Sequence, residues 1–164
     1  MLTTTQATTQ DISIIQHLAH ETWPSTYQTI LMLAQVRYML DLFYSEQALS
    51  KNFKDGHEFL LIHHNQNAIG FAGYQHNFPE TGQTKLHKLY VLPNAQGLGA
   101  GQQLLNEVLE KAKSAGSKSL TLNVNRFNKA YTFYRKNKFD VLQEIDIPIG
   151  QGYLMQDYIL EKRL

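Results

Sequence analysis

The chain contains no cysteine. Disulfides and thiolate metal sites are thereby excluded, and the fold cannot depend on cross-links. It also lacks any apolar run approaching the roughly 18 residues of a membrane-spanning helix, and Met1-Leu-Thr-Thr-Thr carries no basic stretch of the kind that opens a secretory signal. A cytoplasmic protein without a membrane partner is expected. Charge of one sign is missing as well: 15 basic side chains stand against 14 acidic ones with no long block of either. That balance argues against a nucleic-acid or membrane-surface partner and leaves a small molecule. No low-complexity tract, fixed-period repeat or Pro/Gly/Ser-rich linker divides the 164 residues, a length that buries a sizeable core unaided. One domain, 1–164, is the simplest account.

What is present falls into two halves. Residues 2–8 are threonine-rich and suit a first strand, after which Thr9 is placed to cap a helix carrying Ile12, Ile15, Leu18 and Ala19. Trp23-Pro24 is expected to end it. A second helical stretch, about 27–43, carries Ile30, Leu33, Val36, Leu40 and Phe43, and Ser45 is placed to cap a short third one around Ala48 and Leu49. From Glu58 the period changes to that of strands: 59–62, a turn at Asn65-Gln-Asn67, then 69 to about 78 as the second arm of a hairpin. Strand 85–92, helix 100–114, strand 119–124, helix 128–137 and a closing hairpin, 139–147 with 153–161, follow. Such interleaving predicts an α/β domain whose mixed sheet holds a ligand at its strand ends.

The chain is organised around Leu86-His-Lys-Leu-Tyr-Val-Leu-Pro93 and the segment after it, Asn94-Ala-Gln-Gly-Leu-Gly-Ala-Gly101. A strand runs into a glycine-rich turn and then into a helix with Leu104, Leu105, Val108, Leu109 and Ala112 on one face. Glycines let the backbone approach a ligand, and the opening helix offers unpaired N–H groups to a phosphate or pyrophosphate. Two phosphate motifs are excluded by spacing. Gly101 is followed by Gln102 and Gln103, so there is no P-loop lysine, and G-x-G-x-x-G fails at Gln102 and at Leu104.

What fits is Gln-x-x-Gly-x-Gly, read as Gln96, Gly99 and Gly101 directly after a strand ending in Val-x-Pro. This resembles the acetyl-coenzyme A signature of the GNAT N-acetyltransferases. A second match lies about thirty residues on, where the family's order of Asn, Ala, Phe-Tyr and Phe is met by Asn128, Ala130, Phe133, Tyr134 and Phe139. The resemblance runs from about residue 57 to the C-terminus. The family's glycine before the last Phe is Lys138 here, so either Asn137 supplies the left-handed residue that ends the helix or the turn is built differently.

The resemblance implies one GNAT-like α/β domain with a mixed central sheet, flanked by helices, whose two central parallel strands splay to admit a pantetheine arm. It implies acetyl-coenzyme A as cosubstrate, no metal, and transfer by direct attack of a primary amine. Gln96, Gly97, Leu98, Gly99, Ala100 and Gly101 would grip the cofactor through backbone N–H groups, Asn128 through its amide, and Leu89 and Val91 through strand backbone. Tyr134 is the candidate acid for the departing thiolate, although Phe127, Tyr131 and Tyr134 at helical spacing also suit a core. His87 is the candidate base, four residues ahead of Val91 and so expected on one face with Leu89 and Val91, titrating near neutral pH. Glu80, His76 and a water chain are its rivals. The seven histidines show no metal-binding spacing: His63 and His64 point to opposite faces, and His17 and His20 lack the H-E-x-x-H pattern. Trp23, Tyr27 and Tyr38 are candidates for an acceptor pocket.

The His87-Lys88-Leu89-Tyr90 run and the closing Ile149 to Tyr158 segment resemble small-amine and polyamine acetyltransferases, with Glu80, Asp146 and Asp157 as sources of local acid. Protein N-terminal or lysine acetylation is the alternative enzyme, and a non-catalytic coenzyme A-binding regulatory module the alternative class. Family members often dimerise, and an exposed final strand would allow a homodimer.

Overall fold

Two continuous apolar runs set the middle of the sheet. Phe59 to Ile62 and Ile69 to Tyr74 are buried on both faces, as strands covered by helices on each side must be. They lie in β2 (Glu58–His64) and β3 (Asn67–His76), with β1 (Leu2–Gln6) on the outer side of β2. The computed structural model describes all 164 residues, Met1 to Leu164. The remaining strands are β4 (Gln83–Val91), β5 (Ser119–Asn125), β6 (Asp140–Gly150) and β7 (Tyr153–Arg163), and the order is β1-β2-β3-β4-β5-β7-β6. Only β4 and β5 are parallel. This is the mixed α/β architecture expected.

Helices α1 (Ile12–Tyr27), α2 (Leu33–Tyr44) and α3 (Glu46–Lys54) cover one face, where Ile15, Leu18, Leu40 and Leu49 pack on Phe59, Leu61 and Phe71. Helices α4 (Ala100–Ser114) and α5 (Ala130–Lys136) cover the other, where Leu104, Leu105 and Val108 meet Leu60, Ile62, Leu120 and Leu122. All five residues predicted for the apolar face of α4 are buried. Ser45 caps α3 by accepting from Ala48 N–H, while at the first helix the cap is Thr8, whose side chain and that of Asp11 form a capping box around a single 3-10 turn.

Three expectations are corrected. Helix α1 does not stop at Trp23-Pro24 but runs to Tyr27 with the proline inside. Trp23 and Tyr27 are both buried and hold the last turn against the sheet, and the hydroxyls of Thr22, Ser25 and Thr26 donate to carbonyls around the break. Helix α2 begins only at Leu33, because Ile30 and Leu31 N–H both turn back to Tyr27 C=O. The final strand is not exposed at an edge: β7 lies between β5 and β6, so the free edges are β1 and β6.

The helix end before Phe139 is built by Lys138 itself. Lys138 has φ 69°, while Asn137 stays at φ −85°, ψ 14°. Phe139 N–H closes back to Tyr134 C=O at 3.2 Å. A left-handed residue with a Cβ is strained by about 1–2 kcal/mol, and glycine's extra freedom in the unfolded chain offsets about 0.5–1 kcal/mol of any gain. Lys138→Gly is therefore expected to raise the melting temperature by about 1–4 °C. A lower melting temperature would mean that the lysine side chain contributes more than its backbone costs.

Candidate active site

The site begins where the sheet stops being continuous. β4 and β5 pair only from Gln83 opposite Ser119 to Leu86 opposite Leu122, although β4 continues to Val91 and β5 to Asn125. Beyond Leu86 the strands part, leaving backbone groups of β4 without a neighbour on that side. Leu92 N–H donates to Ile69 C=O at 2.8 Å, which fixes the phase of the β3–β4 ladder. Val91 opposite Gly70 and Leu89 opposite Ala72 then fall at the non-hydrogen-bonded positions. Their N–H and C=O groups point away from β3, into the gap.

The glycine-rich turn lies at the end of the same strand. Gly97 (φ 90°) and Gly99 (φ 83°) are both left-handed, and a Cβ at either would meet nothing within 4 Å. These glycines serve backbone shape, not internal packing. Gln96 follows the 3-10 turn Pro93–Ala95, Leu98 is exposed, and Ala100 is buried as α4 opens. The first bond of α4 runs from Gln103 N–H to Gly99 C=O, and the N–H groups of Gly97 to Gln102 donate to nothing in the chain. Six donors are thus left free at the end of β4, beside the positive end of the α4 dipole.

Along the gap lies a cavity of about 380 Å³, walled by α1 and α2, β4, β5, β7 and α5. Tyr134 lines it and is only 6% exposed, and its hydroxyl makes no hydrogen bond within the chain. Burial holds the phenol well above its ordinary pKa. Tyr27 donates to or accepts from Tyr90 across 2.8 Å, and burial pushes the Tyr27 phenol up to about 12. Asn128 also lines the cavity, but its side-chain oxygen accepts from the N–H of Ala130, the first residue of α5, at 2.9 Å. The amide nitrogen and the second lone pair of that oxygen are left to hold a ligand.

The deepest polar group is a chain of three residues from three strands. Lys85 Nζ donates to Asn123 Oδ1, and Asn123 Nδ2 donates to Asp157 at 3.4 Å. Asp157 is 5% exposed; burial raises its pKa, while Asn123, Lys85 and Arg126 pull it back. Burial lowers Lys85, against the pull of Asp157. Of the carboxylates expected to give local acid, only Asp157 reaches the cavity. Asp146 pairs with Arg126 at 2.8 Å and Glu80 is exposed in the β3–β4 connection.

His87 lines the cavity too, but not as alternation predicts. The β3–β4 register passes from Gly73 opposite Lys88 to Tyr74 opposite Leu86, so His87 is an extra residue in a bulge. The bulge puts Leu86, Leu89 and Val91 together against the α4 core, whereas strict alternation would separate Leu86 from Leu89. His87 turns instead to stack on His57 at 4.3 Å between ring centroids with 4° between planes, and its Nε2 donates to Gln75 Oε1 at 3.0 Å. Burial first, then His57, Lys88 and Lys85, hold it down at about 3. The near-neutral titration expected of it is corrected accordingly. His76 is tied to Thr84 at 2.8 Å and to Glu58 at 3.4 Å, away from the cavity. Trp23 and Tyr27 line the cavity, but Tyr38 does not: its hydroxyl donates to Ile149 C=O at 2.6 Å and its ring packs on Tyr153.

A model of the acetyltransferase (GNAT) family matches residues 14–139. The chain belongs to the GNAT family. Over 106 residues it is 29% identical to an uncharacterised N-acetyltransferase of Mycobacterium tuberculosis, a match covering 64% of this chain and 66% of that protein, just under two thirds of its length. Over 100 residues it is 31% identical to the uncharacterised N-acetyltransferase YhfO of Bacillus subtilis, covering 57% and 67%. Its fold is shared by a PaiA N-acetyltransferase from Thermoplasma acidophilum solved with coenzyme A, with TM-score 0.83, 24% identity and coverage of 100% and 99%. The ribosomal-protein-S18-alanine N-acetyltransferase of Escherichia coli is similar at TM-score 0.76 and 18% identity, covering 99% and 94%.

For a GNAT protein the group to be held is coenzyme A, and the residues present fit it. Six free N–H groups suit a pyrophosphate, open space stands where side chains at Gly97 and Gly99 would be, and the unpaired β4 backbone at Leu89 and Val91 suits an amide-bearing arm. Lys85 and Asn123 were not singled out in the sequence, and Lys88 and Tyr90 stood out only as part of the His87 to Tyr90 run. For Lys88, Tyr90 and Asn123 the signal there is a polar side chain interrupting an apolar strand run, in Leu86 to Leu92 and in Leu120 to Val124, whereas Lys85 stands just before the first run.

Proposed function

We propose that this GNAT protein is an acetyl-coenzyme A-dependent N-acetyltransferase whose acceptor is a compact primary amine. The observation that carries the reading is one cavity opening onto the β4–β5 gap, with the unpartnered Tyr134 hydroxyl and the buried Asp157 carboxylate in its wall. Acetyl-coenzyme A, when bound, supplies a thioester with an acetyl group activated for transfer. Leu89 and Val91 present backbone donors where that arm would lie. Asp157, raised by burial, is the group best suited to take a proton from an incoming ammonium. His87, at about 3, is too weak a base to compete. Tyr134 keeps its proton at any working pH and holds it ready for a departing thiolate. A volume of about 380 Å³ suits a small acceptor, and a single carboxylate beside two lysines gives little support for a polycation.

The test is thiol release from acetyl-coenzyme A over a panel of amines, run beside thermal melts. Acetyl-coenzyme A at about 100 times its dissociation constant adds about 2.7 kcal/mol, or about 5–10 °C for a chain of this length. NAD and ATP should add far less. Gly99→Val fills the open side of the turn at φ 83° and is expected to remove the shift while the sheet stays folded. An equal shift with ATP, or turnover of peptides with no small amine accepted, would overturn the reading.

A further inference from the structure

The cavity wall carries one cation for which the chain supplies no anion. Lys88 projects from β4 toward the α1–α3 face, where its Nζ donates to Asn52 Oδ1 at 3.1 Å and lies 5.3 Å from the centre of the Tyr44 ring and 5.7 Å from that of Phe59. It takes part in none of the chain's ion pairs. Burial lowers its pKa to about 8, and no neighbouring charge pulls it back. Lys85 differs, because Asp157 stands opposite it through Asn123. Asp157 is the one carboxylate on the cavity wall, so the inventory is two lysines to one acid. An ammonium removed from water without a countercharge is costly. An amide oxygen and two ring faces compensate it only in part, since an ammonium has three donors.

We infer that the acceptor is a primary amine that also carries a carboxylate, and that Lys88 binds that carboxylate. The inference deepens the acetyltransferase reading and rests on it for the amine. One free cation matches one negative charge, which favours a carboxylate over a phosphate dianion. The wall beside it is apolar, with Trp23, Met39, Phe43 and Tyr44, so the rest of the acceptor, beyond its amine and carboxylate, is hydrophobic. An amino acid with an apolar side chain has this chemistry. A polyamine would bring a second cation against Lys88.

Two measurements test it, the first without acetyl-coenzyme A. 3-Phenylpropionate, an acid with no amine, is expected to raise the melting temperature of the protein, whereas 3-phenylpropanol is not. The shift should vanish in Lys88→Met and persist in Lys88→Arg; should Lys88→Met not fold, Lys88→Gln keeps a donor for Asn52 and replaces it. The second compares acetylation of phenylalanine with that of phenethylamine, which lacks only the carboxylate. The preference for the acid in kcat/KM should fall about 10- to 100-fold in Lys88→Met, mainly through KM. A carboxylate shift that depends on Lys88, with no amine acetylated, would sustain the Lys88 site and sink the acetyltransferase reading. Acetylation of amines with no preference for the acid, unaltered by Lys88→Met, would overturn the inference.

Discussion

Replacing Tyr134 by Phe is expected to lower turnover by about 10²- to 10⁴-fold while acetyl-coenzyme A still protects the fold. The ring sits in the core against Phe133 and Phe139, with centroids at 5.2 and 5.6 Å, and the substitution keeps those contacts. What it removes is a hydroxyl that bonds to nothing in the chain, so stability should change little. Burial keeps that phenol protonated far above neutral pH. Loss in the variant should therefore appear in kcat at every pH tested. Unchanged turnover would return Tyr134 to a packing role, and a large fall in melting temperature would give its hydroxyl a structural one.

Asp157→Asn is expected to cost about 10²- to 10⁴-fold in turnover and at the same time to stabilise the protein at neutral pH. The second effect follows from the sign of the shift. Burial raises the folded pKa of Asp157 above its unfolded value, so the stabilising contribution of this group is fully present below the unfolded pKa and is lost as pH rises through the folded one. At pH 7 the ionised carboxylate is a net cost, and the neutral amide is free of it. Activity runs the other way: in the parent it falls as pH drops through the raised Asp157 pKa, because the protonated acid cannot accept a proton. That limb should be absent from the variant. Full activity with the limb intact would exclude Asp157 as base.

The helices and strands were legible wherever one period ran undisturbed. Helix α4 and strand β5 fall within a residue of their predicted bounds because their apolar faces are complete, and the glycine turn was legible because three glycines in five positions have no simpler use. Other features left no trace in local pattern. The bulge at His87 is invisible because Lys88 to Val91 alternates as well after an inserted residue as before one. The Lys85, Asn123 and Asp157 chain joins residues 38 and 34 positions apart, and only the placing of β7 beside β5 brings them together. That placing was missed too, since a closing hairpin reads the same whichever arm meets the sheet. At Lys138 the tertiary fold overrides the preference for glycine, and no neighbouring residue announces it.

The short ladder between β4 and β5 has a mechanical consequence. Four residue pairs, Gln83 to Leu86 with Ser119 to Leu122, form the only strand ladder between a leaf of β1 to β4 and a leaf of β5, β7 and β6, reinforced at its closed end by Lys118 N–H donating to Gly82 C=O and by Thr84 with Ser117. A continuous sheet spreads strain over its whole width, whereas this one concentrates it along a single seam, with α4 as the strap that crosses from one leaf to the other. A bound arm, hydrogen-bonded to β4, would act there as the missing stitches and stiffen the joint.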